Sequence, residues 1–196
     1  MAAPVLAPVD ELVEPVEDRA SARAFAVEHI APYANDFERA GRIPEQLLER
    51  MSEAGIWAPF LPAEVGGAGV SMVTLGEIHE EVGRACSSVR SLLTVHTMMS
   101  WTVQRWGTAE QKSRWLPELA AGRTLGAFCL TEPDAGSDAT GIRTTAQPAG
   151  DGYLLNGGKK WITNGQRADL YLVFARTGSS IAAFLVPRNS PGVSVT

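Results

Sequence analysis

Cysteine is scarce: Cys86 and Cys129 are the only two in 196 residues, and they lie far apart, outside any C-x-x-C spacing. That count argues against a disulfide framework and against a thiolate metal site, and makes a reducing compartment the expectation. His29, His79 and His96 show no ligand-like arrangement, so they read as core or partly exposed side chains and no metal is expected. No apolar run approaches the roughly 20 residues that cross a bilayer, so no membrane insertion is expected. An excess of positive charge is also missing, with seventeen Lys and Arg against twenty-two Asp and Glu and a formal charge of -5. A nucleic-acid surface would show a basic face or stripe, which sets that class aside. A phosphorylated small ligand stays possible, because a few local N–H groups suffice to bind one. Met1 to Pro8 is rich in Ala and Pro but has no basic n-region, so it does not read as a signal peptide. The expectation from these gaps is a soluble cytoplasmic protein of one or two domains.

What is present is 45% hydrophobic and 20% charged, enough apolar material for a core. The pattern changes character near residue 123. Before it, Phe25, Ile30, Tyr33 and Phe37 recur at helical intervals, with Pro32 ending or kinking the helix. Pro44 suits the first turn of a helix carrying Leu47, Leu48 and Met51, closed by Gly55. Gly66-Gly67-Ala68-Gly69 reads as a flexible loop, since no Lys-Ser/Thr follows it as a phosphate-binding loop requires. Ser71 caps a helix that buries Leu75, Ile78 and Val82 and exposes Glu77, Glu80 and Glu81 as a solvated acidic face. Another helix covers about Val89 to Trp106, and Thr108 with Gln111 forms a capping box for a last one that stops at Gly122.

After residue 123 the sequence turns to strands. Leu125 to Leu130 is apolar, and Asp151-Gly152 between Thr144–Ala146 and Tyr153–Leu155 signals a hairpin. Leu170 to Ala175 and Ile181 to Val186 follow, and Val193 to Thr196 reads as the start of another strand. Helices first and strands afterwards predict an α+β protein of two segregated modules: a helical domain over 1–122 and a β domain over 123–196.

Two segments carry chemistry. Cys129-Leu130-Thr131-Glu132-Pro133-Asp134-Ala135-Gly136-Ser137-Asp138 and Asn156-Gly157-Gly158-Lys159-Lys160-Trp161-Ile162-Thr163-Asn164-Gly165 each resemble a signature segment of the acyl-CoA dehydrogenases. By composition alone the first is a turn and Trp161 a half-buried strand aromatic. Both together in one strand-rich module favour a flavin site. The resemblance covers nearly all of the chain after the first dozen residues. It implies an antiparallel β-barrel or sandwich for the second module, left incomplete here, and a C-terminal helical bundle that this chain lacks.

The resemblance also implies FAD, contacted by Phe128, Cys129, Leu130, Thr131, Gly136, Ser137, Trp161, Ile162 and Thr163. A flavin needs donors for its ring heteroatoms, a wall for its face and a close backbone approach to its pyrophosphate. Thr131 and Thr163 offer hydroxyls, strand N–H groups an edge, and Trp161 a flat surface. Gly136 permits an unusual backbone angle and close approach, and Ser137 adds a hydroxyl that reaches phosphate and substrate. Ser88-Val89-Arg90-Ser91 is similar to the stretch where glutaryl-CoA dehydrogenases grip a distal carboxylate, which makes Arg90 and Ser91, with Thr94 one turn later, candidate substrate contacts beside Ser137. The alternative for Arg90 is a surface arginine at a helix start, with serine as a capping neighbour.

The activity so implied is α,β-dehydrogenation of an acyl-CoA or acyl-carrier-protein thioester, with an electron-transfer acceptor and a homo-oligomer as the complete form. The family's catalytic base comes from the C-terminal bundle and is expected beyond Thr196, while Glu132 takes a structural place. Two other classes remain: a non-catalytic or split subunit that completes a partner chain, and a flavin oxidase or monooxygenase on the same fold.

Overall fold

The computed structural model describes residues 13–196, so the Ala/Pro-rich start lies outside the described residues. They fall into two compact units, one ending at Thr124 and one running Leu125–Thr196.

The first unit is helical. Helix α1 (Arg19–Phe25) opens at Asp18, whose carboxylate accepts the Ser21 N–H while the Ser21 hydroxyl accepts the Asp18 N–H. The chain then widens into a π turn over Ala26–Ile30, tightens into a 3-10 turn over Ala31–Tyr33, and resumes as α2 (Ala34–Ala40). Pro32 explains the interruption, because it has no N–H to give and its ring crowds the carbonyl four residues back. Helix α3 (Glu45–Glu53) begins one residue after Pro44, which sits in an extended conformation as the cap and not inside the first turn. Ser71 caps α4 (Met72–Ala85), α5 (Ser87–Trp106) follows directly, and the Thr108–Gln111 capping box opens α6 (Ala109–Ala120). Ile30, Met51, Trp57, Ile78, Leu93 and Leu119 are fully buried among these helices. Among the described residues, no helix is long and apolar enough to cross a membrane.

Two expectations fail in this unit, one because the chain just before a loop folds back on it and one because a distant helix comes close. The loop at residues 66–69 is not loose: Gly67 N–H donates to Pro62, Gly69 to Leu61, and both Ala68 and Val70 to Pro59 carbonyls. A Cβ on Gly67 would stand 2.0 Å from the Leu61 carbonyl oxygen, so only glycine fits. Glu81 is not on a solvated face: it is 4% exposed. Helix α1 brings Arg19 Nε to 2.8 Å and Arg23 Nε to 3.1 Å from its carboxylate. The Arg23 hydrogen bond, with Arg19 beside it, outweighs burial and holds the Glu81 pKa down to about 2.

The second unit holds one five-stranded sheet, and here the expected antiparallel barrel or sandwich gives way to a mixed sheet. Strand β1 (Gly126–Cys129) pairs parallel with the first half of β4 (Leu170–Thr177), in register Gly126↔Leu170 to Cys129↔Val173. Strand β2 (Thr145–Ala149) meets β4 in parallel near its far end, at Thr145↔Arg176. Only the hairpins are antiparallel: β2 with β3 (Gly152–Asn156), and β4 with β5 (Ser180–Pro187). Two-residue turns, Gly150-Asp151 and Gly178-Ser179, force those two pairings; the first sits one residue earlier than its Asp-Gly signal suggested. β1 and β4 are joined by a long excursion, which leaves their relative direction free. Residues 193–196 form no strand.

The depressed Glu81 pKa has a stability signature. A carboxylate whose native pKa is lowered contributes stability above its ordinary value near 4.5 and loses it as pH falls through about 2. Glu81→Gln is expected to unfold at lower urea than the parent at pH 7, with the gap closing toward pH 2. Equal urea midpoints at pH 7 would show that the Arg–Glu contacts add nothing to stability.

Candidate functional site

In the β unit, the two motif segments are joined at one buried carboxylate. Glu132 is 6% exposed and lies just past β1, in a turn closed by its own backbone pairing with Ala135. Its Oε2 accepts the Arg143 N–H at 2.6 Å. Its Oε1 accepts the Thr144 N–H at 3.0 Å, the Thr144 hydroxyl at 2.5 Å and Lys159 Nζ at 2.7 Å. Burial opposes the charge, but the Arg143 N–H, Lys159 and Thr144 outweigh it and bring the pKa down to about 2. Lys159 Nζ also reaches the Leu130 carbonyl at 3.1 Å, and Lys160 N–H donates to the Thr131 carbonyl at 2.9 Å. Gly157 makes the approach possible, since a Cβ there would lie 2.5 Å from Thr144 Oγ1.

This geometry brings the expected cofactor residues onto two adjacent stretches, and it divides them. Trp161 stands 80% exposed on a left-handed backbone, φ 56°, with Lys160 Nζ 4.8 Å from its ring centroid. Ser137 and Gly136 are exposed, and Thr131 and Thr163 are half-buried. Gly136 is not among the positive-φ glycines, and the space above it is open, with nothing within 4 Å of where a Cβ would stand. Cys129 and Ile162 point into the core with Ala127, Ala168 and Tyr171, so only their backbones face outward chemistry. Burial pushes the Cys129 thiol up to about 12, which leaves it inert. Phe128 packs on Phe174 at 4.9 Å between ring centroids.

Within the helical unit, α5 brings Arg90 and Thr94 together at 3.3 Å, while Ser91 is half-buried with no such partner. Among the described residues no carboxylate lies within ion-pair distance of Arg90. His79 joins this cluster from α4, 3.4 Å from Thr94 Oγ1, and sequence reading missed it. The available signal was Gly83, four residues on along the same helix face: the Arg90 stem lies over it, with Cγ 3.3 Å from where its Cβ would stand. Lys159 was missed too, as a bare lysine in a Gly-Gly-Lys-Lys run. Among the described residues no group of three or more His, Cys, Asp and Glu could hold a metal ion.

Comparison with known families decides what carries this arrangement. The N-terminal domain of acyl-CoA dehydrogenases matches residues 15–123, and the middle domain matches residues 127–196. The chain belongs to the acyl-CoA dehydrogenase family. An acyl-CoA dehydrogenase of Bacillus subtilis is 41% identical over 188 residues, 93% of this chain and 50% of that protein. The mouse mitochondrial short-chain specific acyl-CoA dehydrogenase is 36% identical over 183 residues, 90% of this chain and 44% of that one. A crystal structure of a glutaryl-CoA dehydrogenase from Mycobacterium smegmatis in complex with FADH2 superimposes with TM-score 0.84 at 37% identity, covering 89% of this chain and 45% of that one. The chain therefore spans about half the length of the curated relatives it matches.

Removing one partner of the Glu132–Lys159 pair leaves a buried charge with too few partners. Lys159→Met is expected to cost about 3 kcal/mol or more in urea unfolding. The same variant should raise the Glu132 pKa toward the ordinary carboxylate range, readable by NMR titration. A fully stable variant with an unchanged titration would remove the pair as the join between the motifs.

Proposed function

We propose that the working enzyme removes hydrogen from the α and β carbons of an acyl-CoA or acyl-carrier-protein thioester, using FAD. This chain supplies flavin and substrate contacts from a helical domain over 1–122 and a β domain over 123–196. Trp161 carries the reading. A non-glycine residue held left-handed costs about 1–2 kcal/mol, and a tryptophan that is 80% exposed recovers almost none of that by burial. Strain without packing at one aromatic suits a ring kept in place for a planar ligand.

The donor set around it fits FAD. The Thr131 and Thr163 hydroxyls and the backbones of Phe128, Cys129, Leu130 and Ile162 offer polar groups to a ring edge. The open surface at Gly136, with the Ser137 hydroxyl beside it, admits a pyrophosphate and a substrate group. When bound, FAD supplies acceptance of the β-hydrogen as hydride; the chain's residues orient the partners and keep water out. Glu132 is no base in this reading, because its oxygens are taken by Arg143, Thr144 and Lys159 and its pKa is about 2. The proton-abstracting carboxylate therefore comes from elsewhere in the working enzyme, which we take to be a cytoplasmic homo-oligomer served by an electron-transfer acceptor. Arg90, with Ser91 and Thr94, is the proposed receptor for a carboxylate at the far end of the acyl group, and Ser137 is a separate proposed substrate contact. The likeness to a glutaryl-CoA dehydrogenase supports that choice.

Two measurements test this. Trp161→Gly relieves the backbone and should leave stability unchanged or raise it by about 1 kcal/mol, while flavin retention falls. A protein that gains no flavin absorbance on incubation with FAD would remove the cofactor claim. Arg90→Ala should weaken turnover of a carboxylate-bearing thioester by about 1.5–3 kcal/mol, one to two powers of ten, and spare a neutral one of equal length. Equal losses for both substrates would make Arg90 structural.

A further inference from the structure

Helices α4 and α5 meet at a polar cluster whose proton order can be read from its hydrogen bonds. The Thr94 hydroxyl has one proton and donates it to the Arg90 carbonyl oxygen at 2.9 Å. Toward its other neighbours it is therefore an acceptor, from Arg90 Nη1 at 3.3 Å and from His79 Nδ1 at 3.4 Å. The Nδ1–H tautomer satisfies all of these contacts together, with Nε2 accepting the Thr97 hydroxyl proton at 3.3 Å. Burial first, and the Arg90 charge second, hold the His79 pKa down to about 4, so the ring is neutral at pH 7. Gly83 completes the arrangement, because the Arg90 stem lies against it where any side chain would crowd Cγ.

We infer that His79 is a positioning residue: as the neutral Nδ1–H tautomer it fixes the Thr94 hydroxyl, which in turn holds the Arg90 guanidinium toward an anionic acyl end. The guanidinium is thus located from two sides, by the bare backbone of Gly83 along its stem and by Thr94 at its head. With one donor spent on Thr94, the rest of its fork stays free for a carboxylate. His79 gives this hold without adding charge, whereas a lysine or a protonated imidazole would repel Arg90. The ligand class, an acyl thioester with a distal carboxylate, rests on the reading of Arg90 given under the proposed function.

The test uses the 15N-labelled chain together with His79→Asn, whose amide nitrogen replaces Nδ1, and His79→Gln, whose amide nitrogen replaces Nε2. In the unsubstituted chain at pH 7 the His79 nitrogens should report the Nδ1–H tautomer; an Nε2–H ring overturns the inference, and that reading needs no variant to fold. The Arg90 guanidinium signals should stay resolved in His79→Asn and collapse toward free rotation in His79→Gln. Identical Arg90 signals in all three proteins would show that His79 positions nothing. In the FAD-loaded enzyme, the kcat/KM preference for a carboxylate-bearing over a neutral acyl thioester should fall about tenfold in His79→Gln and stay within about twofold of the parent in His79→Asn. An Arg90→Gln enzyme that loses both substrates equally would remove the carboxylate reading alone, while the NMR signals still decide whether His79 holds Arg90.

Discussion

Three stretches of the β unit converge on the Glu132 carboxylate. The turn that carries it follows β1, Arg143 and Thr144 lead into β2, and Lys159 follows β3. A carboxylate removed from water would ordinarily take up a proton, but four donors surround this one and hold it ionised. The charge then becomes the reason for the local shape. Lys159 is drawn in, Lys160 N–H is set against the Thr131 carbonyl, and the next residue, Trp161, is turned into its left-handed conformation with the ring outward. Every proposed flavin contact lies within a few residues of one of these anchors.

The helical unit uses the same device with different consequences. Glu81 binds α1 to α4 through two arginines, a purely structural outlet for a buried charge. His96 is fully buried, its Nε2 2.9 Å from the Leu119 carbonyl, and burial brings its pKa down to about 4. His79 shares that low pKa but differs in its company: its partners are two hydroxyls, and one of them, Thr94, touches a guanidinium with no described carboxylate beside it. Buried polar groups are thus common to stability and function here. What sets His79 apart is that its hydrogen bonds lead through Thr94 to a guanidinium with no described carboxylate at hand.

Much of this was legible in the chain itself. The Ser71 cap, the Thr108–Gln111 box, the Pro32 interruption and both hairpins are present because each depends on residues within a few positions of one another. The two signature segments pointed to the family for a related reason: their residue types stay together in the sequence. The errors have the opposite character. Glu81 was placed in solvent because its partner Arg19 is 62 residues away, and Lys159 was passed over because Glu132 is 27 residues away. The loop at Gly67 is a local case: Leu61 lies close by in the chain, yet nothing in the composition shows that its carbonyl closes on the glycine.

Pairing direction in the sheet shows where that boundary falls. A period-two pattern reports which face of a strand is buried and says nothing about which way its neighbour runs. Hairpin turns settle direction for β2–β3 and β4–β5, but β1 and β2 run parallel to β4 through connections long enough to permit either sense. The sequence by itself determined the caps, the turns, the order of helices before strands, and the family, all of which rest on short-range chemistry carried along the chain. Only the tertiary structure decided the mixed sheet, the burial of Glu81 and Glu132, the outward turn of Trp161 and the meeting of His79, Thr94 and Arg90, because each depends on groups that become neighbours only when the chain has folded.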